Sequence, residues 1–247
     1  MKKLSIIGPL ILIALWMFLS FTNLIDSFFL PSPFETFYEI FVLLFTGKII
    51  PDLFTTFIRT IEAFLIALVL GVPLGLFLGG KEKVYRSLEF LIDFFRSTPI
   101  TAIFPLFLLL FGIGDLSKIA VASFAALLLI IFNTAYGVLN ANKSRILAAK
   151  VMGASKWQVF KKVVFFESLP ETFIGLRTAI SWTLVVIVVT EMFIGTNIGI
   201  GHYILNAQYI YDIKGMYASI ILAGLLGYLL NYTLLFLERK YIHWKGK

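Results

Sequence analysis

Leu147–Arg177 reads LAAKVMGASKWQVFKKVVFFESLPETFIGLR. It is a basic, polar island between two long apolar segments, and what precedes and follows it is patterned to cross a membrane. It is therefore the largest part of the chain that must sit in water. Ala148, Ala149 and Gly153 form an Ala-Ala-x-x-x-Gly core. Two alanines let a short helix lie close to a partner surface, and Gly153 can turn the chain at a helix end. Ser155 can then cap a second helix that carries Lys156, Trp157, Phe160, Lys161 and Lys162. Leu169-Pro170 and Gly175-Leu176-Arg177 follow downstream.

Composition sets the solvent. The chain has 247 residues, 60% of them hydrophobic, with mean hydropathy +0.94. Ordinary soluble chains are about half apolar. A soluble core of this length could not hide so much apolar surface, and a bilayer can. The predicted fold class is an all-α integral membrane protein of about six spans. The absence of Cys excludes disulfides, thiol catalysis and Cys-ligated zinc. His202 and His243 are too far apart for a His-rich metal site.

Lys2-Lys3 precede an apolar run from about Ile6 to Phe21, whose bulky exit lacks a cleavage pattern and reads as an uncleaved first span. Ser32, Pro33 and Glu35 make a capping box for an amphipathic helix on the outer surface, with Phe34, Phe37, Phe41, Leu44 and Phe45 on its apolar face. Further spans are expected over Leu53–Leu78, from Pro99 to Phe111, and over about Ile119–Leu139, Phe173–Ile194 and Met216–Leu237. Residues 1–52 thus hold the first span and outer segment, 53–237 the core spans with a loop at about 140–172, and 238–247 a basic tail, in one membrane domain. Ala63, Ala67, Gly71, Gly75 and Gly79 form a small-residue stripe for close helix approach. Gly75 to Lys81 also fits G-x-x-x-x-G-K. Glu82 follows where Ser or Thr is needed, and the setting is an apolar helix, so this is no nucleotide site. Gly195, Gly199 and Gly201 predict a flexible outer loop reaching Lys214.

Charge orients the chain. Of the 21 Lys and Arg, only Lys48, Arg59, Lys118 and Lys214 fall on one side of a six-span arrangement. The other side is therefore cytoplasmic, with both termini and the Leu147–Arg177 island on it. This accounts for the net charge of +7 by membrane lipid and topology and leaves no need for nucleic acid as a partner. No H-E-x-x-H or G-x-S-x-G is present, and no carboxylate pair sits beside a base, so the chain is not expected to be an enzyme by itself.

The island, with Leu169-Pro170 and Gly175-Leu176-Arg177, resembles the cytoplasmic EAA loop of the permease subunit of bacterial ABC importers, in the nitrate/sulfonate/taurine group. The resemblance runs from Leu30-Pro31-Ser32-Pro33 to the basic C-terminus. It departs from the family pattern at Leu147, where Glu is usual, and at Phe166, where Pro is frequent. The resemblance implies a coupling helix that docks on ABC ATPase subunits, and a pathway through the cytoplasmic membrane for a small solute such as a sulfonate, nitrate, taurine or a vitamin precursor. It also implies an extracytoplasmic solute-binding protein and a permease homodimer. ATP and magnesium are expected on the partner ATPase, with no cofactor on this chain. The residues expected at the ATPase are Ala148, Ala149, Met152, Gly153, Ala154, Ser155, Lys156 and Trp157. Pathway or gate candidates are Arg59, Glu62, Asn133, Thr134, Ser181 and Glu191, since ionisable and polar groups in spans need a reason to be there. Arg59 and Glu62, three apart, are expected to pair. The alternative is an ion-coupled secondary carrier using Arg59, Glu62 or Glu191.

Overall fold

Small residues decide where the helices meet. The computed structural model describes residues 4–22, 24–193, 195, 197–242 and 244, with backbone only for 4–6. The described residues are helical, without strands. The elements are α1 (Leu4–Phe21), α2 (Pro33–Phe45), α3 (Ile50–Gly80), α4 (Glu82–Ser97), α5 (Ile100–Phe111), α6 (Asp115–Leu139), α7 (Lys143–Val151) and α8 (Lys156–Val159). A π-helical turn, Phe160–Val164, leads into α9 (Phe165–Phe193), followed by α10 (Ile200–Tyr209) and α11 (Ile213–Tyr241). They form two compact units, Met1–Thr56 with Glu191–Leu225, and Phe57–Thr190 with Leu226–Lys247.

In the second unit the stripe on α3 is the contact with α6. A Cβ on Gly71 would lie 2.8 Å from the Ile130 side chain, one on Gly75 2.6 Å from Thr134, and one on Gly79 2.6 Å from Val138 and 2.8 Å from the Ala135 carbonyl. Ala63 and Ala67 on the same stripe are fully buried. Lipid removes the hydrophobic drive between helices, so van der Waals contact at this range is what holds them. Gly137 does the same for α6 against α9, where a Cβ would come within 2.8 Å of the Ser168 carbonyl. Phe64, Ala67, Ala126, Ile130, Leu176, Ile180 and Leu230 fill the core between these helices.

Among the described residues, four helices are long and apolar enough to cross a membrane: α3, α6, the continuous helix Lys156–Phe193, and α11. The expected third span is different. α5 has 12 residues, about 18 Å of helix, against about 30 Å of hydrocarbon. It pairs with α4 across a 96° bend, set by Thr98 and Pro99, which hold extended backbone. Counted as one broken span, the pair makes a fifth. The expected first span is α1, whose apolar described part, Ile7–Phe21, is shorter than the others. The expected fifth span starts earlier than Phe173: the helix runs unbroken from Lys156 through the π turn and past Pro170. The absence of a second Pro at Phe166 leaves one missing N–H to absorb, and the widened π turn precedes it.

In the first unit, Ser32 and Glu35 form the expected capping box. The aromatic face of α2 is exposed, as suits a helix whose apolar side meets lipid, and Leu43 on another face packs with Ile49, Ala218 and Leu222. Trp16 of α1 donates its indole N–H to the Pro31 carbonyl at 3.0 Å and stacks on Tyr217. The Gly195–Lys214 segment is not a plain flexible loop: it contains α10, because its first N–H groups find acceptors described below. Lys2, Lys3, His243, Lys245 and Lys247 lie outside the described residues.

Lys214 donates to the Glu35 carboxylate at 2.7 Å. That bond, then the N–H and O–H of Ser32, hold the Glu35 carboxyl below its ordinary value of 4.5. A depressed carboxyl contributes stability that is full above the ordinary value and is lost as pH falls through the lowered one. The pair is exposed, so the contribution is small. Acidification from pH 5 to about pH 3 is expected to raise proteolysis near α2 modestly, and Lys214→Met to reduce that acid response. For the α3–α6 contact, Gly75→Leu should cost about 1–3 kcal/mol by overpacking. It is expected to lower the detergent melting temperature and membrane abundance, whereas Gly8→Ala, with nothing within 4 Å, should change neither.

Candidate functional site

The polar island folds as a helix, a tight turn and a second helix start. Asn142 caps α7 by accepting from the N–H groups of Ser144 and Arg145. α7 ends at a Gly153 with φ +82°, and its last carbonyls are closed by Gly153 N–H to Lys150 and Ala154 N–H to Ala149, both 3.0 Å. This paired closure needs a left-handed residue, which is why Gly stands there. Ser155 then caps α8, with Gln158 completing a capping box. Arg145 pairs with Glu167, tying α7 to α9. Ala149 is buried, whereas Ala148, Gly153, Ser155 and Lys156 are exposed and Ala154 is half-buried. Met152 is 80% exposed and Trp157 67%, and Leu147 and Val151 are exposed beside them. The turn thus presents exposed apolar side chains together with the exposed Lys150, Lys156 and Lys161.

The pathway candidates separate into different settings. In the first unit, Glu191 is 1% exposed. It accepts from the Thr56 hydroxyl at 2.8 Å and from the Gly201 N–H at 3.1 Å. The Ile200 N–H donates to Thr56 at 2.9 Å and the Gly199 N–H to Asp52 at 2.7 Å. Three successive N–H groups at the start of α10, orphans by helix geometry, are satisfied by three side chains. The carboxylate lies 2.4 Å from where a Gly199 Cβ would be, at φ +132°, so only glycine fits. Glu191 is here an anchor for α10 at the helix's positive end.

In the second unit, Arg59 does not pair with Glu62. It is 3% exposed and its guanidinium lies 2.7 Å from Asp115, which also takes Lys118 at 3.3 Å; Glu62 is exposed. A cross-helix carboxylate at the start of α6 reaches Arg59 where one on its own helix face does not. Thr134 is fully buried against Gly75. Asn133 donates to the Leu129 carbonyl at 2.8 Å and fills the space over Gly175. Both therefore pack helices.

Ser181 belongs to a polar network. Arg177 donates to Asn231 at 3.2 Å and to Glu238 at 3.1 Å. Asn231 in turn donates to the Ser181 hydroxyl at 3.2 Å. The candidates did not include Asn231 and Glu238. Their signal was present: Asn231 is a lone amide inside the apolar run of α11. Arg177 was read only as part of a motif and a cytoplasmic charge. Among the described residues no cluster of His, Cys, Asp and Glu could hold a metal ion.

The helical, membrane-crossing fold with a capped polar turn before its longest helix is that of a multi-pass membrane protein, and comparison with known proteins supplies the class. The chain belongs to the family of binding-protein-dependent transport system inner membrane components, whose sequence profile matches residues 71–243. It is similar to a probable ABC transporter permease of Brucella abortus, 30% identical over 88% of this chain and 87% of that protein. It is also similar to the taurine transport system permease of Escherichia coli, 28% identical over 98% of this chain and 90% of that one. The fold is shared with the methionine ABC transporter in an inward-facing conformation, at TM-score 0.69 and 21% identity over 79% of this chain and 97% of that one. The chain is thus the multi-pass permease subunit of an ABC importer that works with a binding protein, and the ion-coupled carrier alternative is set aside.

Glu191→Ala should strand the Thr56 and Gly201 donors in a buried place, at about 1–3 kcal/mol each. The expected result is a clear drop in detergent melting temperature, with Glu191→Gln intermediate because it keeps an acceptor.

Proposed function

We propose that this permease imports a small organic anion or zwitterion of the sulfonate or taurine kind, and that it is driven through the exposed turn between α7 and α8. The single observation that supports the drive is the turn itself. It is a closed, capped structure that leaves Met152, Trp157 and Leu147 in water, and large apolar side chains are costly to expose unless a partner covers them. The partner in this reading is an ABC ATPase subunit, and it carries the ATP and magnesium; the permease performs no catalysis and holds no cofactor. Ala148, Ala149, Met152, Gly153, Ala154, Ser155, Lys156 and Trp157 form the docking element. The turn continues as one helix from Lys156 to Phe193, so a push on α8 is transmitted along the helix axis without a loop to absorb it.

Two copies of the chain form the pathway, two ATPase subunits bind their cytoplasmic turns, and a loaded extracytoplasmic binding protein docks on the opposite side. Both ends of the chain are placed in the cytoplasm by the bias of Lys and Arg. The similarity to a taurine transport permease supports the substrate class.

Purification of the tagged chain from native membranes in mild detergent tests the coupling. A soluble ATPase in stoichiometric yield is the expected companion. Gly153→Asp should leave the permease folded in the membrane, since nothing lies within 4 Å of that Cβ and the left-handed backbone costs about 1–2 kcal/mol. The same change is expected to abolish ATPase recovery and transport. A Gly153→Asp permease that transports at the normal rate would show that the coupling element is elsewhere.

A further inference from the structure

Two cavities in the second unit share one wall. The first, about 300 Å³, opens at the α4–α5 break and is lined by Arg96, Ser97, Thr98, Pro99, Ile100 and Trp182. The second, about 350 Å³, lies along α9 and α11 and is lined by Arg177, Thr178, Ser181, Trp182 and Asn231. Trp182 is the residue they have in common, and its side chain is 51% exposed.

Each half has a feature that hydrocarbon does not tolerate by itself. Thr98 and Pro99 are extended backbone between the amphipathic α4, whose charged residues include Asp93 and Arg96, and the apolar α5. Backbone of this kind survives at membrane depth only where it lines a cavity or is buried in protein, and here it lines the first cavity. Arg177 is a full charge on the span-forming helix Lys156–Phe193, at the end of its polar first half. Charges at such positions face a bundle interior or water. Here Arg177 faces the second cavity.

The network around Arg177 is directional. Asn231 accepts from Arg177 Nε and donates to Ser181, which fixes the amide and so the guanidinium plane. Glu238 takes one Nη1 donor. A guanidinium has five N–H donors in a planar fork, and two are used in these contacts. The Ser181 and Thr178 hydroxyls donate to the carbonyls of Arg177 and Ile174, so they are spent on their own helix. The remaining recognition chemistry is a positively charged fork beside a flat indole. In the first cavity, Arg96 is held by Asp93 at 3.1 Å and lies 3.7 Å over the Phe132 ring, a second positive charge.

We propose that these cavities are the intramembrane station of the transported solute, with the Arg177 fork taking its anionic group and Trp182 covering its carbon body. This rests on the permease reading above and deepens it. The class is a small organic anion with planar or tetrahedral oxygens, a sulfonate or carboxylate, carrying a short aliphatic part. Fork-to-oxyanion bonding supplies selectivity for charge, and the indole supplies contact that tolerates different carbon bodies. Asn231 and Glu238 are positioning residues, since they act through Arg177.

The test uses the whole permease–ATPase complex in nanodiscs with its native tryptophans, and the Trp182 response is the part of the emission change that Trp182→Phe removes. Ethanesulfonate is expected to give a saturable change in Trp182 emission, and choline none. Arg177→Met should remove the response and Asn231→Ala should weaken it about tenfold, a readout that a purely structural role would not move. No response to ethanesulfonate, or one that persists in Arg177→Met, overturns the station. In proteoliposomes with the native tryptophans, Trp182→Ala should cut ethanesulfonate uptake at least about tenfold while ATP hydrolysis continues, and Trp182→Phe should retain most of it. Uptake by Trp182→Ala at the unaltered rate would also overturn it. Hydrolysis stimulated by the loaded binding protein checks the permease reading separately. With stimulation intact, a missing Trp182 response sinks the station alone; with stimulation absent in the unaltered complex, the permease reading fails first.

Discussion

The contact of α3 with α6 through Gly71, Gly75 and Gly79 is what the second unit depends on. In water two apolar helices are driven together by burying surface. In lipid that gain vanishes, and adhesion must come from atoms in close contact. Each of the three glycines stands where a Cβ would meet α6 at 2.6–2.9 Å, so the two backbones are as near as helices can be. The same device recurs at Gly137, which brings α6 to α9. On α11, Leu230 and Leu234 complete the core as ordinary apolar side chains.

Close packing leaves polar groups few places to go, and each one takes a different solution. Thr134 and Asn133 are absorbed at helix contacts. Arg59 and Lys118 share Asp115. In the first unit, Glu191 meets the positive end of α10, and the carboxylate and helix start stabilise each other. Arg177 and Arg96 are each held in a fixed geometry beside a cavity. The proposed solute contacts of Arg177, Ser181 and Trp182 sit on one face of α9, and the continuous helix that carries them begins at the turn. In the proposed mechanism, a helix that carries the turn at one end and a polar cavity along its side links a push at the turn to the pathway without any intermediate element.

Much of this was legible beforehand. Composition alone demanded a membrane, since 60% hydrophobic residues exceed what a chain of this length can bury. The i, i+4 spacing of Ala63 to Gly79 announced the α3 contact. The Ser32 and Ser155 caps, and Gly153 as a helix stop, were readable because capping and left-handed turns depend on a few consecutive residues and on no distant partner. The family pattern around Ala148–Gly153 pointed to the permease class that the comparisons establish.

What the tertiary structure alone decided is everything that depends on residues far apart in the chain. Arg59 was matched by sequence to Glu62, three positions away, but its partner is Asp115 on another helix. The stretch after Gly195 reads as a loop because glycines weaken helices, yet α10 forms there because Asp52, Thr56 and Glu191 arrive to hold its N–H groups. Asn231 and Ser181 are fifty residues apart, and neither carries any local mark of the other. Sequence by itself determined the solvent, the span-forming segments and the capped turns, since these follow from local propensity and period. Pairing, cavity and the length of the Lys156–Phe193 helix needed the fold, because burial and distance belong to side chains that only packing brings together.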